Sequence, residues 1–186
     1  MLKTLAQLIH RSPRPGLIGI DGPGGAGKST LARELAELTA GVILPGDDFY
    51  AVMDDAVRAR LDAREGYEHF FDWKRLAEVA HALISTGEAT YHGYDWTTGR
   101  LALQPTHITL KGPVIVEGVY VCRPELRALY ASSILVTASR SVCVDRVRAR
   151  NENSEDAIAL WLRSEDWYFE HVVTPRDFDF VVETDT

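Results

Sequence analysis

The sequence has little of what marks several protein classes. Only two cysteines, Cys122 and Cys143, occur in 186 residues, with no C-x-x-C pair and no metal-ligand spacing. A disulfide scaffold is excluded, and two buried thiols in a reducing compartment are expected. The six histidines lie apart with no H-E-x-x-H segment, so no helical zinc site is expected. No apolar run reaches the ~20 residues that a membrane helix requires, and nothing reads as a signal peptide. Basic charge is short as well: 20 Lys and Arg stand against 27 Asp and Glu, a net charge of -7. A nucleic-acid partner calls for a clustered basic face, which this balance disfavours. A cytoplasmic protein with no membrane or nucleic-acid partner is therefore expected, and a homo-oligomer is compatible with the composition. Repeats, low-complexity tracts and linkers are lacking too. Residues 1–186 therefore read as one domain, and 46% hydrophobic content suffices for a core.

What is present alternates between apolar strands and helices. Leu17, Ile18 and Ile20 form a short apolar run after the breakers Pro13, Pro15 and Gly16, so a buried strand is expected there. Residues 29–39 follow as a helix with Leu31, Leu35 and Leu38 on one face. Val42-Ile43-Leu44 is a second strand, closed by Pro45-Gly46. Residues 55–64 are charged and read as a helix. Leu76, Val79, Ala80, Leu83 and Ile84 recur at helical spacing up to Gly87. Residues 88–110 hold alternating pieces around Thr98-Gly99, the pattern of a hairpin. Val114-Ile115-Val116 and Ile134-Leu135-Val136 are further buried strands, and 178–182 is a closing one. Residues 142–150 read as a basic helix and 157–172 as an aromatic-rich one. Residues 1–11 carry Leu2, Leu5, Leu8 and Ile9 on one amphipathic face. Apolar strands separated by helices imply an α/β fold, a parallel sheet covered on both faces. Ligands in such folds bind at the carboxyl ends of the strands.

One segment carries chemistry on its own. Gly22-Pro23-Gly24-Gly25-Ala26-Gly27-Lys28-Ser29 fits G-x-x-x-x-G-K-[ST] at every fixed position, after an apolar strand and before an apolar-periodic helix. Consecutive backbone N–H groups must point into one concavity, and glycines permit those angles and that close approach. The next helix adds its unsatisfied N-terminal donors and its positive dipole end. The loop residues Gly22, Gly24, Gly25, Ala26, Gly27, Lys28, Ser29 and Thr30 are thus expected to bind a nucleotide's phosphates. Lys28 reaches the β- and γ-phosphates, and the Ser29 hydroxyl ligates Mg²⁺.

Acids and arginines follow at strand ends. Asp47 and Asp48 lie just past the second strand, where a carboxylate can take the proton of a hydroxyl. Glu117 ends the third apolar strand, where a carboxylate can help hold Mg²⁺. Arg140, Arg146, Arg148 and Arg150 form the strongest basic cluster, with Arg146 and Arg150 one turn apart. Guanidinium forks suit the charge that develops on a migrating phosphoryl group. Residues 146–156 read as a short lid. Tyr50, Tyr67, Phe70, Phe71, Tyr94 and Trp96 are candidates for stacking an acceptor ring, with core packing as the competing role. His69 is the one histidine placed near an acceptor, and Glu165 is a further candidate to face it.

With these residues in place, the chain resembles the uridine kinase-like branch of P-loop kinases over about residues 16–182. Gly19 to Thr30 resembles the family's first strand and loop, Asp47-Asp48-Phe49-Tyr50 its D-[SD]-F-Y segment, and Tyr94-Asp95-Trp96 to Arg100 its acceptor hairpin. Val116-Glu117-Gly118 matches its strand end, and Arg146 and Arg150 fall where its lid arginines begin. The resemblance implies a three-layer fold with sheet order 2-3-1-4-5 and a hairpin and lid over the acceptor. It implies ATP and Mg²⁺ as cofactors and phosphoryl transfer to a hydroxyl of a small molecule, a nucleoside first, with a related sugar or vitamin hydroxyl as the alternative. It implies Asp47 as the base, Lys28, Arg146 and Arg150 as charge stabilisers, and Ser29 and Glu117 as metal holders. Asp48, Tyr50, His69, Tyr94, Trp96 and Arg100 would then meet the acceptor.

The departures fall in the acceptor region. The hairpin reads Trp96-Thr97-Thr98-Gly99-Arg100, without the family's histidine. Gly66-Tyr67-Glu68-His69-Phe70-Phe71-Asp72 replaces the Asp-His-Pro-Asp stretch that binds ribose, and the lid is trimmed. A different function class, a nucleotide-dependent regulatory ATPase or GTPase, would share the loop. No guanine-reading N-K-x-D segment supports the GTPase form.

Overall fold

A computed structural model describes residues 5–6, 16–150 and 154–185. The helix expected over 1–11 lies outside the described residues except for Leu5 and Ala6, which are helical and buried.

The first strand, β1 (Leu17–Asp21), runs into helix α1 (Lys28–Thr39) through the glycine-rich loop. Strand β2 (Val42–Pro45) ends in a 3-10 turn, Gly46–Phe49. The single helix expected over 55–64 is instead two, α2 (Asp55–Arg58) and α3 (Ala63–His69). The break has a local cause. Asp62 takes the N-cap position, accepting from Glu65 N while the Glu65 side chain accepts from Asp62 N, so a new helix starts there. Helix α4 (Trp73–Thr86) stops at Gly87, whose φ is 81°. Strands β3 (Glu88–Tyr91) and β6 (Thr106–Thr109) pair antiparallel, and between them β4 (Tyr94–Asp95) pairs with β5 (Arg100–Leu101) across the expected hairpin. Then come β7 (Val114–Glu117), β8 (Tyr130–Thr137), helix α5 (Arg140–Ala149), helix α6 (Glu155–His171) and β9 (Phe180–Glu183).

The main sheet is five-stranded and parallel, in the order β2-β7-β1-β8-β9. Counted among these five strands alone, the order is 2-3-1-4-5, as expected. Side chains alternate between its faces with the period of a strand. Leu17, Val114, Val116 and Leu135 pack with Leu76, Val79 and Leu83 of α4 and Tyr168 of α6. Ile18, Ile20, Ile115, Ile134 and Val136 pack with Leu31, Ala32 and Leu35 of α1 and Cys143 of α5. Helices therefore cover both faces, which makes three layers. Burying one such aliphatic side chain stabilises by about 1.5–3 kcal/mol, so the sheet's register is firmly held. Parallel alignment sends every strand's carboxyl end to the same edge. Glu117 pairs with Ile20 of β1 on one side and Pro45 of β2 on the other. It therefore stands between the glycine-rich loop and the turn that bears Asp47. Among the described residues no helix is long and apolar enough to cross a membrane.

Candidate active site

The loop between β1 and α1 is shaped by close backbone approach. A Cβ on Gly22 would lie 2.1 Å from the Val136 carbonyl oxygen, and one on Gly25 2.3 Å from that of Cys143; the φ angles are 149° and 81°. Only glycine satisfies both conditions. Gly27, at φ 96°, begins α1 with no side-chain cap and no acid in the first turn, so the helix's leading N–H groups keep their capacity for an anion. Lys28 is 7% exposed and donates from Nζ to the Pro23 carbonyl at 2.9 Å, which keeps its ammonium at the loop.

A cavity of about 810 Å³ opens beside this loop. Gly24, Gly25, Gly27, Lys28, Ser29 and Thr30 line one end. Asp47, Glu117 and Arg150 also line it, as do the aromatic side chains of Tyr50, Phe70, Phe71, Trp96 and Trp161. Ser29 Oγ donates to Glu117 Oε2 at 3.3 Å. A hydroxyl and a carboxylate are hard oxygen donors, and no cluster of three or more His, Cys, Asp or Glu suited to a metal occurs among the described residues. That set fits Mg²⁺, which binds through one or two protein oxygens and completes its shell with phosphate and water.

Burial pushes the carboxyl groups of Asp47, Glu117 and Glu165 above the usual range, and the Lys28 ammonium opposes the push in each. Arg150 also pulls on Asp47 and Glu117. Asp47 is itself exposed to solvent where it lines the cavity, so solvent screens it and reduces the desolvation it feels. The ionisable groups of the cavity are thus electrostatically coupled around one space.

Several residues expected at the site are elsewhere. Asp48 turns away from the cavity and accepts the Tyr91 hydroxyl at 2.7 Å, tying the 3-10 turn to β3. His69 is exposed, because α3 buries Gly66 and Tyr67 and its register carries His69 off that face. Arg100 is exposed on β5 opposite Asp95. Tyr94 supports rather than lines the cavity, with its ring 5.1 Å from Tyr50 and 5.0 Å from Trp96. Tyr50 is stacked on Trp96 at 4.8 Å and accepts the Trp161 indole N–H at 2.7 Å. Of the basic cluster, only Arg150 lines the cavity. Arg146 donates to the Gly25 carbonyl at 3.3 Å and to the Thr184 carbonyl at 2.9 Å, bracing the loop against the chain after β9. Arg140 pairs with Asp166 and Arg148 with Glu155. Of the proposed lid, 151–153 lie outside the described residues.

Two carboxylates carry more than their sequence positions suggested. Asp21, fully buried, accepts from Gly22 N, Tyr120 N, Cys122 N and the Tyr168 hydroxyl, which pins the loop's first glycine to the segment after β7. Its signal was the one read for Glu117, an acid ending a buried strand. Glu165 accepts the Gly24 N–H at 2.7 Å. Its signal was a stripe: Ile158, Trp161, Leu162 and Glu165, spaced as one face of a helix, all line the cavity.

A parallel sheet in this order, with a phosphate-shaped loop entering a helix, defines a P-loop nucleotide-binding protein with the fold of the uridine kinase-like P-loop kinases. The AAA domain family matches residues 18–160, and the chain belongs to that family. A uridine kinase from Deinococcus deserti is 29% identical over 134 residues; the match takes in 69% of this chain and 65% of that protein. The chain therefore spans just under two thirds of that relative's length. Among solved structures, a candidate uridine kinase from Bacillus stearothermophilus superposes with a TM-score of 0.74 at 21% identity, over 97% of this chain and 96% of that one. A candidate fructose transport system kinase from Silicibacter sp. TM1040 gives 0.73 at 21% identity, over 97% and 98%.

Proposed function

We propose that this chain is an ATP-dependent small-molecule kinase that phosphorylates a hydroxyl of a neutral acceptor, a nucleoside first. The observation that carries the reading is the convergence of Lys28, the Ser29–Glu117 pair and Asp47 on one cavity that aromatic side chains also line. Phosphoryl transfer is mostly positioning and charge stabilisation, and each part has a candidate residue. The loop amides and Lys28 hold the β- and γ-phosphates. Ser29 and Glu117 would hold Mg²⁺, which when bound offsets the charge of the β- and γ-oxygens. Asp47 Oδ accepts the proton of the acceptor hydroxyl as that oxygen bonds to the γ-phosphorus and the bond from phosphorus to the β,γ-bridging oxygen breaks, releasing ADP. Arg150 stabilises charge on the migrating group, and Arg146 keeps the loop in shape behind it. Trp96, half-exposed, offers ring surface to the acceptor, backed by Tyr50, whose two faces are taken by Trp96 and the Arg58 guanidinium. The uridine kinase relative supports a nucleoside, and the hairpin's lack of a histidine leaves a sugar as the second candidate.

The test is ADP formation with ATP, Mg²⁺ and a panel of nucleosides, sugars and vitamin alcohols. Turnover with one acceptor class is expected. Asp47→Asn should lower kcat by at least about 100-fold, as loss of a general base does, with ATP affinity nearly kept. A folded protein that turns over nothing in the panel, or an Asp47→Asn variant that loses ATP binding and turnover together, contradicts the reading.

A further inference from the structure

One carboxylate of the cavity is left over by the roles assigned above. Glu165 is 8% exposed and lines the cavity from α6. Among the described residues it forms no ion pair. Oε2 accepts the Gly24 N–H, and a Cβ on Gly24 would come within 3.3 Å of Oε1, so loop and carboxylate are in direct contact. An ionised carboxylate offers about four acceptor positions, and Gly24 takes one.

The rest of the wall defines what could meet the remainder. Trp161 stands one turn before Glu165, and its N–H is already donated to Tyr50. The cationic side chains of the lining are Lys28, Arg33 and Arg150. Lys28 stands at the loop, where a polyphosphate would engage it, and Arg150 is the group assigned to the migrating phosphoryl; Arg33 donates back along α1 to the Ser29 carbonyl at 3.2 Å and to Thr30 Oγ1 at 3.5 Å. Arg58 lies 4.4 Å from the Tyr50 ring, but it does not line the cavity and donates to the Ala51 carbonyl. With Glu117 given to the metal, Asp47 and Glu165 are the lining carboxylates left to face an acceptor, beside the side chains of Trp96 and Trp161.

We infer that Glu165 reads the acceptor: it accepts a hydrogen bond from a second hydroxyl of a neutral acceptor, and its charge, with that of Asp47, rejects acceptors bearing a carboxylate or a phosphate. This inference rests on the kinase reading. A buried acceptor-only group must be met by a donor, and a site built that way rejects compounds lacking one. A like charge brought against two carboxylates is rejected by repulsion. Glu165 is thus a specificity-determining residue that touches the loop and the acceptor together.

Glu165→Gln separates this role from that of a loop strut. The amide oxygen still accepts the Gly24 N–H, while the charge is lost and an N–H₂ group replaces an acceptor. With uridine, D-fructose and D-gluconate as acceptors, wild type should phosphorylate a neutral one and not D-gluconate. E165Q should raise the KM of that acceptor about 10- to 100-fold, keep the KM for ATP within about twofold, and narrow the discrimination against D-gluconate. An unchanged acceptor KM, a raised ATP KM alone, or a wild type that prefers D-gluconate overturns the inference. If no acceptor is turned over, fluorescence titration through Trp96 and Trp161, with a non-hydrolysable ATP analogue bound, decides it separately. Binding of uridine or D-fructose that E165Q weakens upholds the role of Glu165 while the kinase reading falls. Absence of binding, or equal binding by both proteins, overturns the inference.

Discussion

At Asp21 four donors converge on one buried carboxylate, three backbone N–H groups and a tyrosine hydroxyl. An asparagine there has one oxygen to offer and turns an N–H₂ group on the remaining donors. Asp21→Asn should lower unfolding stability by about 2–4 kcal/mol, read as a shifted urea midpoint at unchanged slope. A loss below about 0.5 kcal/mol would show that the donors find other partners. Asp47 offers a second test, in pH. Its carboxyl is pushed upward by desolvation among its neighbours and by the Asp48 charge, a push that its exposure to solvent reduces, and it accepts a proton only when ionised. The rate should therefore fall as pH drops through that raised value, with the acid limb of kcat/KM standing above the ordinary aspartate range of about 3.9. A limb at the ordinary value would argue that another group takes the proton. Residues of the loop were legible because amide-lined anion sites constrain residue type at each position. Asp48, His69 and Arg100 were less so. Whether a polar side chain faces a cavity depends on helix register and on partners such as Tyr91, which lies 43 residues from Asp48.

At the scale of elements, α3 and α6 meet at a point set by one glycine. A Cβ on Gly66 would lie 2.0 Å from Ser164 Oγ and 2.8 Å from Phe70 Cε2. Gly66→Ala must push α6 outward or force side chains off their rotamers, at about 1–3 kcal/mol. Ser164 precedes Glu165, so the same push should shift Trp161 and Glu165 along the cavity wall and raise the acceptor KM more than the ATP KM. The double substitution Gly66→Ala with Ser164→Ala should recover part of the stability, because it removes the nearest atom; a strictly additive double-mutant cycle would refute the contact. This junction also shows where sequence periodicity stops being informative. The apolar runs of β1, β7 and β8 announce buried strands because both faces are covered. The residues 55–64 carry no comparable stripe, and it took the capping box at Asp62 to divide them into α2 and α3.

At the scale of the molecule, the strand order brings the first strand's loop, the second strand's turn and the end of β7 side by side, although they lie up to 95 residues apart, as Gly22 and Glu117 do. Alternation of strand and helix made the parallel sheet readable, whereas the acceptor end is assembled from the hairpin, α3 and α6, whose mutual placement no local pattern encodes. The two halves of the site should therefore answer differently to ligand. Ala26 of the loop and Leu31, Ala32 and Leu35 of α1 are anchored in the core on one face of the sheet, with Lys28 buried between them, so nucleotide binding should stabilise the whole domain rather than a local segment. A ligand at 100 times its Kd adds about 2.7 kcal/mol to the folded state. For a chain of this size each kcal/mol raises Tm by roughly 2–4 °C. ATP with Mg²⁺ should accordingly raise Tm by about 5–11 °C, in a single cooperative transition. Lys28→Ala should keep its unliganded Tm within a few degrees and lose most of the shift, because the ammonium supplies the mobile positive charge for the β- and γ-phosphates. An equal shift in Lys28→Ala would mean that the polyphosphate is held somewhere other than residues 22–29, and the assignment of this loop as the nucleotide site would fall with it.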